Sequence, residues 1–209
     1  MIYILSPHID DAIYSLGGLI TNGQDKITVI NIYSYSNYTL SEKGDPDKVT
    51  CIRKQEELEV SAKTGMKVIN LDMNDRNMRR IKGFGKDETA IAAIIESMVN
   101  KDGKLCIPFG LRESHEDHIK ARCIGELVSM HIGIPVIYYE DLPYVTYLTH
   151  PEEYESDLIA TEYGIDIDKK LAFCAMYKSQ CDGNMLNLIR AYAYDKKHNC
   201  YTERVWRKD

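Results

Sequence analysis

His8, Asp10 and Asp11 fall within four residues of one another, directly after the apolar run "IYILS" and Pro7. A second cluster, His115, Glu116, Asp117 and His118, follows the apolar stretch "KLCIPFG" at 104–110. Imidazole and carboxylate groups are good ligands for Zn²⁺. His8 and Asp11 are three residues apart at a helix start and can turn to one side. The adjacent Asp10 and Asp11 cannot both aim at one point in the same way. This divides the two aspartates. Asp11 joins His8 on a metal, and Asp10 stands beside the water in the open position. One more histidine from the second cluster completes three protein ligands, and three ligands with an open position mark a catalytic rather than a structural zinc site. Taken singly, each cluster has a plainer reading: aspartates cap helices, and acids in a first turn favour the helix dipole. The joint occurrence of both clusters at strand-to-helix junctions is what points to chemistry.

The elements that must position these residues follow from hydrophobic pattern. Strands are expected at 1–6, 26–34, 67–73, 104–110 and 135–141, rich in β-branched residues. Helical patterns fall at 10–22, 47–64, around 91–99 and around 123–128, with two more at 169–180 and 184–197 and a short final strand at 200–206. Alternating strands and helices predict a parallel sheet covered on both faces. In such sheets ligands bind beyond the carboxyl ends of the strands. Strands one and four can be neighbours where the strand order reverses, which would bring the two clusters together. The segments 33–47 and 140–168 read as long polar, aromatic and acidic loops, expected at a pocket rim; the second is expected to act as a lid.

The chain has 209 residues, 44% hydrophobic and 28% charged, with a formal net charge of −6. That is one globular domain's worth of chain, 1–209, with enough length to bury a core. The acidic balance argues against a nucleic-acid partner, which would require basic patches. The six cysteines form no CxxC pair. They read as reduced thiols of a cytoplasmic protein. No apolar run reaches the roughly 20 residues needed to span a bilayer. Oligomeric state is not legible.

With these residues in place, the chain resembles the PIG-L/LmbE-like deacetylases. "SPHIDDAIYSLGG" is similar to that family's P-H-P-D-D…GG signature, and "SHEDH" to its H-P-D-H. "RKQEELEVSAKTGM", "YYEDLPY" and "KKLAFCAMYKSQ" resemble further blocks in the same order, so the likeness runs from about residue 4 to 181. Ile9 stands where the family has proline, and Ala12 where it has an acid; neither position is a ligand. The resemblance implies a Rossmann-like three-layer α/β sandwich with a mostly parallel sheet. It implies a metal-dependent hydrolase that removes an N-acetyl group from an N-acetylglucosamine-type amino sugar or its conjugate, with one Zn²⁺ (or another divalent ion) per chain. Carried over residue by residue, it implies His8, Asp11 and His118 as metal ligands, Asp10 as general base and His115 as a second catalytic residue near the developing oxyanion.

In this reading either Asp10 or His115 can supply the proton to the leaving amine. Asp117 can orient a ligand imidazole from behind or simply cap its helix. Arg53, Glu56 and Arg112 can contact sugar hydroxyls or each other. Tyr138, Tyr139, Tyr144 and Tyr147 can form an aromatic wall, with Tyr144 the preferred substrate contact. The glycines at 17–18 fit close helix packing. Competing classes are a dinucleotide-binding module, a metal-dependent phosphoesterase or hydrolase of another amide, and a non-catalytic relative. The first requires a glycine-rich turn after strand one, where this chain has the acidic "SPHIDD". The phosphoesterase would favour carboxylates for a second metal. The intact Asp10 and His115 argue against the last.

Overall fold

A computed structural model describes residues 1–22, 25–41, 44–83, 85–111, 115–147 and 157–208. β1 (Ile2–Ser6) and β2 (Ile27–Asn31) are buried along their whole length. That is the signature of strands covered on both faces. The sheet order is β3-β2-β1-β4-β5-β8-β6, with β3 (Lys67–Asn70), β4 (Lys104–Pro108) and β5 (Val136–Tyr139) parallel to β1. β8 (Cys200–Lys208) turns antiparallel against β5 and carries β6 (Leu158–Gly164) on its other edge. The two-residue β7 (Tyr194–Asp195) pairs with β8 off this path.

The pleat divides the core in two. Ile2 and Ile4 of β1 pack beneath α1 (Asp11–Thr21), α6 (Ile167–Cys174) and α7 (Gly183–Ala193), together with Val60 of α2 (Pro46–Thr64). Tyr3 and Leu5 face the opposite side, under α4 (Glu88–Glu96) and α5 (Glu116–Ile132). Local signals set the boundaries of α2. Asp45 accepts hydrogen bonds from the Asp47 and Lys48 N–H groups, Pro46 opens the first turn, and Gly65 at φ 78° closes the helix. Gly18 serves packing: a Cβ there would stand 2.2 Å from Ile165 Cγ2.

The strands expected in the first two-thirds of the chain are all present, with ends shifted by a few residues. The 140–168 stretch is not one loop. It contains a 3-10 turn at Tyr144–Tyr147 and the strand β6, while 148–156 lie outside the described residues. β6 is mostly exposed at the sheet edge, so its sequence lacks the apolar alternation that marks a half-buried strand. α3 (Arg76–Lys82) was not expected either, because a seven-residue basic helix with one buried residue, Met78, has no periodic apolar face. α6 stops at Cys174 rather than 180, giving way to a turn through Tyr177 and Gln180. No helix among the described residues is long and apolar enough to cross a membrane.

Candidate metal centre and active site

β1 and β4 are adjacent, so the segments beyond their carboxyl ends meet at one edge of the sheet. After Ser6 the chain turns into α1, and the serine hydroxyl does the capping: it accepts the Ala12 N–H at 3.1 Å and donates to the His8 carbonyl. Asp10 occupies the N-cap position, yet its side chain makes no capping hydrogen bond. Its Oδ1 is instead 3.1 Å from Arg53 Nη2. The Asp11 carboxylate turns back on His8, accepting its backbone N–H at 2.9 Å and meeting Nδ1 at 3.1 Å through Oδ2. Neither aspartate is spent on its helix.

His118, in the first turn of α5, brings Nε2 to 3.2 Å from the same Asp11 oxygen. The ligand atoms of His8, Asp11 and His118 all lie within 4.8 Å of one another. His118 is fully buried, and its Nε2 makes no well-formed hydrogen bond beyond this approach to Asp11. A buried ring nitrogen so poorly paired is costly, and a cation held between these three groups would satisfy it. The donor set, two imidazoles and one carboxylate, suits a divalent ion such as Zn²⁺. His8, His115 and Asp117 form a second close group, which shares His8 with the first.

Both candidate ligand histidines are held from behind by carboxylates. Asp117 Oδ2 is 3.0 Å from His8 Nε2, and Asp141 Oδ2 is 2.9 Å from His118 Nδ1. Asp117 is itself fixed by Arg79 at 2.6 Å and by the Arg76 N–H at 2.9 Å. Asp141 accepts the Gly110 N–H at 3.2 Å. Gly110 has φ 50°, and a Cβ there would stand 2.6 Å from the His118 carbonyl oxygen, so glycine lets the end of β4 close on the start of α5. These partners select which nitrogen of each ring faces the candidate site: Nδ1 of His8 and Nε2 of His118.

The electrostatics agree with a cation site. Burial alone would lower the histidine pKa values. Asp11 and Asp117 overcome that at His8, pushed to about 10, and Asp11 and Asp141 at His118, pushed to about 9. Carboxylates that favour an imidazolium favour a metal dication in the same place. Asp11 is held well below the usual carboxylate range by His118 and His8, against the effect of burial. Burial pushes Asp10 up to about 7, although Arg53 pulls the other way. His115 behaves oppositely to the other two rings. Burial and the neighbouring His8 lower it to about 4. It caps α5 by accepting the Asp117 N–H on Nδ1 at 3.3 Å, so the neutral ring carries its proton on Nε2.

His8, Asp10, Asp11 and His115 line a cavity of about 270 Å³. Arg53 and Tyr144 line it too; the Tyr144 ring lies 4.4 Å from that of His118 and 6.1 Å from that of His115. Other expectations fare differently. Glu56 faces Ser179, accepting its N–H and hydroxyl at 2.9 and 2.7 Å, and does not line the cavity. Tyr138 and Tyr139 are core residues, so no four-tyrosine wall forms. Arg112 lies outside the described residues, as does the side chain of Tyr147. Asp141, Tyr14, Gln180 and the Asp75–Asn77 corner were missed. Asp141 and Gln180 sit in the family-like blocks "YYEDLPY" and "KSQ", which was the available signal.

A model of the family described as GlcNAc-PI de-N-acetylase, PIG-L, matches residues 3–129. No curated protein matches the sequence. Among solved structures, the A40926 pseudoaglycone deacetylase Dbv21 is similar with a TM-score of 0.78 at 21% identity, over 99% of this chain and 96% of its own. The N,N'-diacetylchitobiose deacetylase of Pyrococcus horikoshii gives 0.69 at 16% identity, over 98% and 82%. GalB, the 4-carboxy-2-hydroxymuconate hydratase of Pseudomonas putida KT2440, gives 0.70 at 14% identity, over 98% and 94%. At these identities the structures speak for a shared fold, and that fold serves more than one reaction. The family match is the stronger statement: it spans more than half of the sequence and runs past both histidine clusters, and this chain belongs to the PIG-L de-N-acetylase family.

Proposed function

We propose that this protein is a zinc-dependent N-deacetylase that hydrolyses the acetamide of an N-acetylglucosamine-type amino sugar or its conjugate. The observation that carries this reading is the convergence of His8, Asp11 and His118 beside an Asp10 that does not cap its helix. The named deacetylases of the same fold support it. When bound, Zn²⁺ supplies an acidified water and polarises the acyl oxygen. The protein's own groups do the rest. Arg53 fixes Oδ1 of Asp10, which leaves Oδ2 to accept the proton of the attacking water. His115, neutral with its proton on Nε2, donates a hydrogen bond to the oxygen as the carbonyl becomes tetrahedral. In this reading Asp10 returns the proton it took to the departing amine. Tyr144 and Arg53, which line the cavity, serve as the sugar contacts in this reading.

The reading extends to the whole chain, 1–209, as one deacetylase domain, since one sheet runs from β1 to β8. Six unpaired cysteines favour a cytoplasmic setting. The test is acetate release from a panel of N-acetylated amino sugars and their glycosides, with bound metal measured on the same sample. Release that depends on about one divalent ion per chain is the expected result. Absence of release across the panel with metal bound would overturn the reading.

A further inference from the structure

Tyr14 is a buried polar residue that the mechanism does not use. It stands one helical turn beyond Asp10 on α1, and its N–H donates to the Asp10 carbonyl at 3.0 Å. Side chains four apart on a helix share a face, with Cβ atoms about 5–6 Å from each other. Tyr14 accordingly lines the same cavity as His8, Asp10 and Arg53, although it is only 2% exposed.

Its hydroxyl makes no well-formed hydrogen bond among the described residues. The Cys181 thiol is a polar neighbour, but sulfur is a weak acceptor, and that thiol is directed at the Asp182 carbonyl at 3.8 Å. The Tyr14 ring, by contrast, is held. It packs edge-on against Tyr177 at 6.1 Å, and the Tyr177 hydroxyl is bonded to Glu57. A buried hydroxyl left unspent is costly to the fold. On a fixed ring at a cavity wall it is preorganised for a ligand that brings the missing partner. Met185 packs in the same apolar cluster and lines the same cavity, and its flexible side chain can give way to an entering sugar.

We propose that Tyr14 is a specificity-determining residue whose hydroxyl donates to O3, the ring hydroxyl beside the acetamide, so that the substrate must carry a free hydroxyl there. The inference rests on the deacetylase reading above. The acetamide stands at C2 of the sugar, so its ring neighbours are C1 and C3. In a conjugate C1 carries the aglycone, which must lead out of the cavity. The C3 hydroxyl is then the sugar group that stays closest to the amide, within a helical turn of the base Asp10. A buried polar group built to meet a substrate hydroxyl disfavours the analogue without it, because that group is then left unpaired.

The experiment measures kcat/KM for the methyl glycoside of N-acetylglucosamine and for its 3-deoxy and 4-deoxy analogues, with metal-loaded wild type and Tyr14→Phe. Phe keeps the ring, and the variant should melt at or above the wild-type temperature because an unspent hydroxyl is gone. The wild type should prefer the parent over the 3-deoxy compound. That preference should fall by roughly tenfold in Tyr14→Phe, while the preference over the 4-deoxy compound stays. An unchanged 3-deoxy ratio, or equal losses on parent and 3-deoxy compound, would mean that the hydroxyl meets only water or Cys181 and would overturn the inference. Loss of the 4-deoxy preference instead would assign Tyr14 to another hydroxyl and overturn it equally, as would a clearly lower melting temperature, which would show the hydroxyl to be spent within the fold. If no glycoside is hydrolysed, the deacetylase reading has failed, and calorimetry on the same compounds still decides Tyr14. Tighter binding of the parent than of the 3-deoxy analogue, lost in Tyr14→Phe, supports the contact, and equal binding rejects it.

Discussion

Asp141 Oδ2 lies 2.9 Å from His118 Nδ1, with both side chains sealed from solvent. The contact leaves Nε2 of that ring directed at Asp11 and His8. A carboxylate in this position fixes the tautomer and the ring angle of a metal-binding histidine. Asp141→Ala is expected to weaken metal binding by about 10–100-fold, as the loss of such a partner does elsewhere. Asp141→Asn should fall between, since its amide oxygen can still accept from Nδ1–H. Competition against a chelator measures both, and an unchanged metal affinity in Asp141→Ala would remove this residue from the centre.

The metal itself is expected at about one divalent ion per chain, Zn²⁺ in preference, with deacetylation lost on chelation and restored on readdition. Replacement by Co²⁺ or Fe²⁺ should leave activity, because two imidazoles and a carboxylate discriminate weakly among these ions. Full activity in metal-free protein would contradict the centre.

A stability test addresses the glycine pair of α1. Gly18→Ala would gain helix propensity of about 1 kcal/mol. It would also push a methyl group against Ile165 and toward Glu203, whose carboxylate accepts the Gly18 and Leu19 N–H groups and pairs with the buried Lys170. Overpacking of this kind costs about 1–3 kcal/mol and here displaces a buried ion pair as well. A net destabilisation is therefore expected in denaturant, with metal stoichiometry unchanged.

The parallel half of the sheet was legible because its strands are apolar on both faces and its helices carry periodic stripes. The site was legible for a related reason. His8, Asp11 and His118 stand at strand-to-helix junctions, where residue type and position in the chain already locate them on one sheet edge. What lay beyond reading was whatever depends on contact across the chain. Asp141 meets His118 only because Gly110 lets β4 approach α5. Asp10 is withheld from capping only because Arg53 arrives from α2. Short α3 and the exposed edge strand β6 have no internal hydrophobic period to announce them.

Glu57 offers a pH-dependent check behind the site. It is buried beside Arg53, bonded by Tyr177 Oη and by Asn31 Nδ2 at 3.2 Å, and burial raises its pKa despite these partners. Between the ordinary carboxylate pKa and the raised one, the folded state binds more protons than the unfolded. The contribution of Glu57 to stability therefore falls as pH rises through that window. Gln has no such linkage; its Oε1 can still accept from Asn31 while its Nε2 donates to the Tyr177 hydroxyl oxygen. The difference in Tm between Glu57→Gln and wild type should accordingly move in the variant's favour from pH 4 to pH 8. A difference independent of pH would mean that Glu57 titrates normally.

The two adjacent aspartates provide the sharpest division of roles. Asp11 faces His8 and His118, whereas Asp10 faces Arg53 and the cavity. Asp11→Ala removes one of three candidate ligands and should lose metal affinity and rate together. Asp10→Asn is nearly isosteric, keeps a hydrogen-bond acceptor for Arg53, and should keep the metal. It cannot take a proton from the attacking water, so turnover should fall by roughly 10²–10⁴-fold, the usual cost of losing a general base. Because Ser6, not Asp10, satisfies the Ala12 N–H, the Asn variant should keep its helix start, but losing the charge opposite the buried Arg53 should lower its unfolding midpoint. Metal stoichiometry, deacetylation rate and unfolding midpoint on the three proteins decide the matter. Wild-type turnover in Asp10→Asn, or full metal and rate in Asp11→Ala, would reduce the pair to a helix start and dismantle the mechanism.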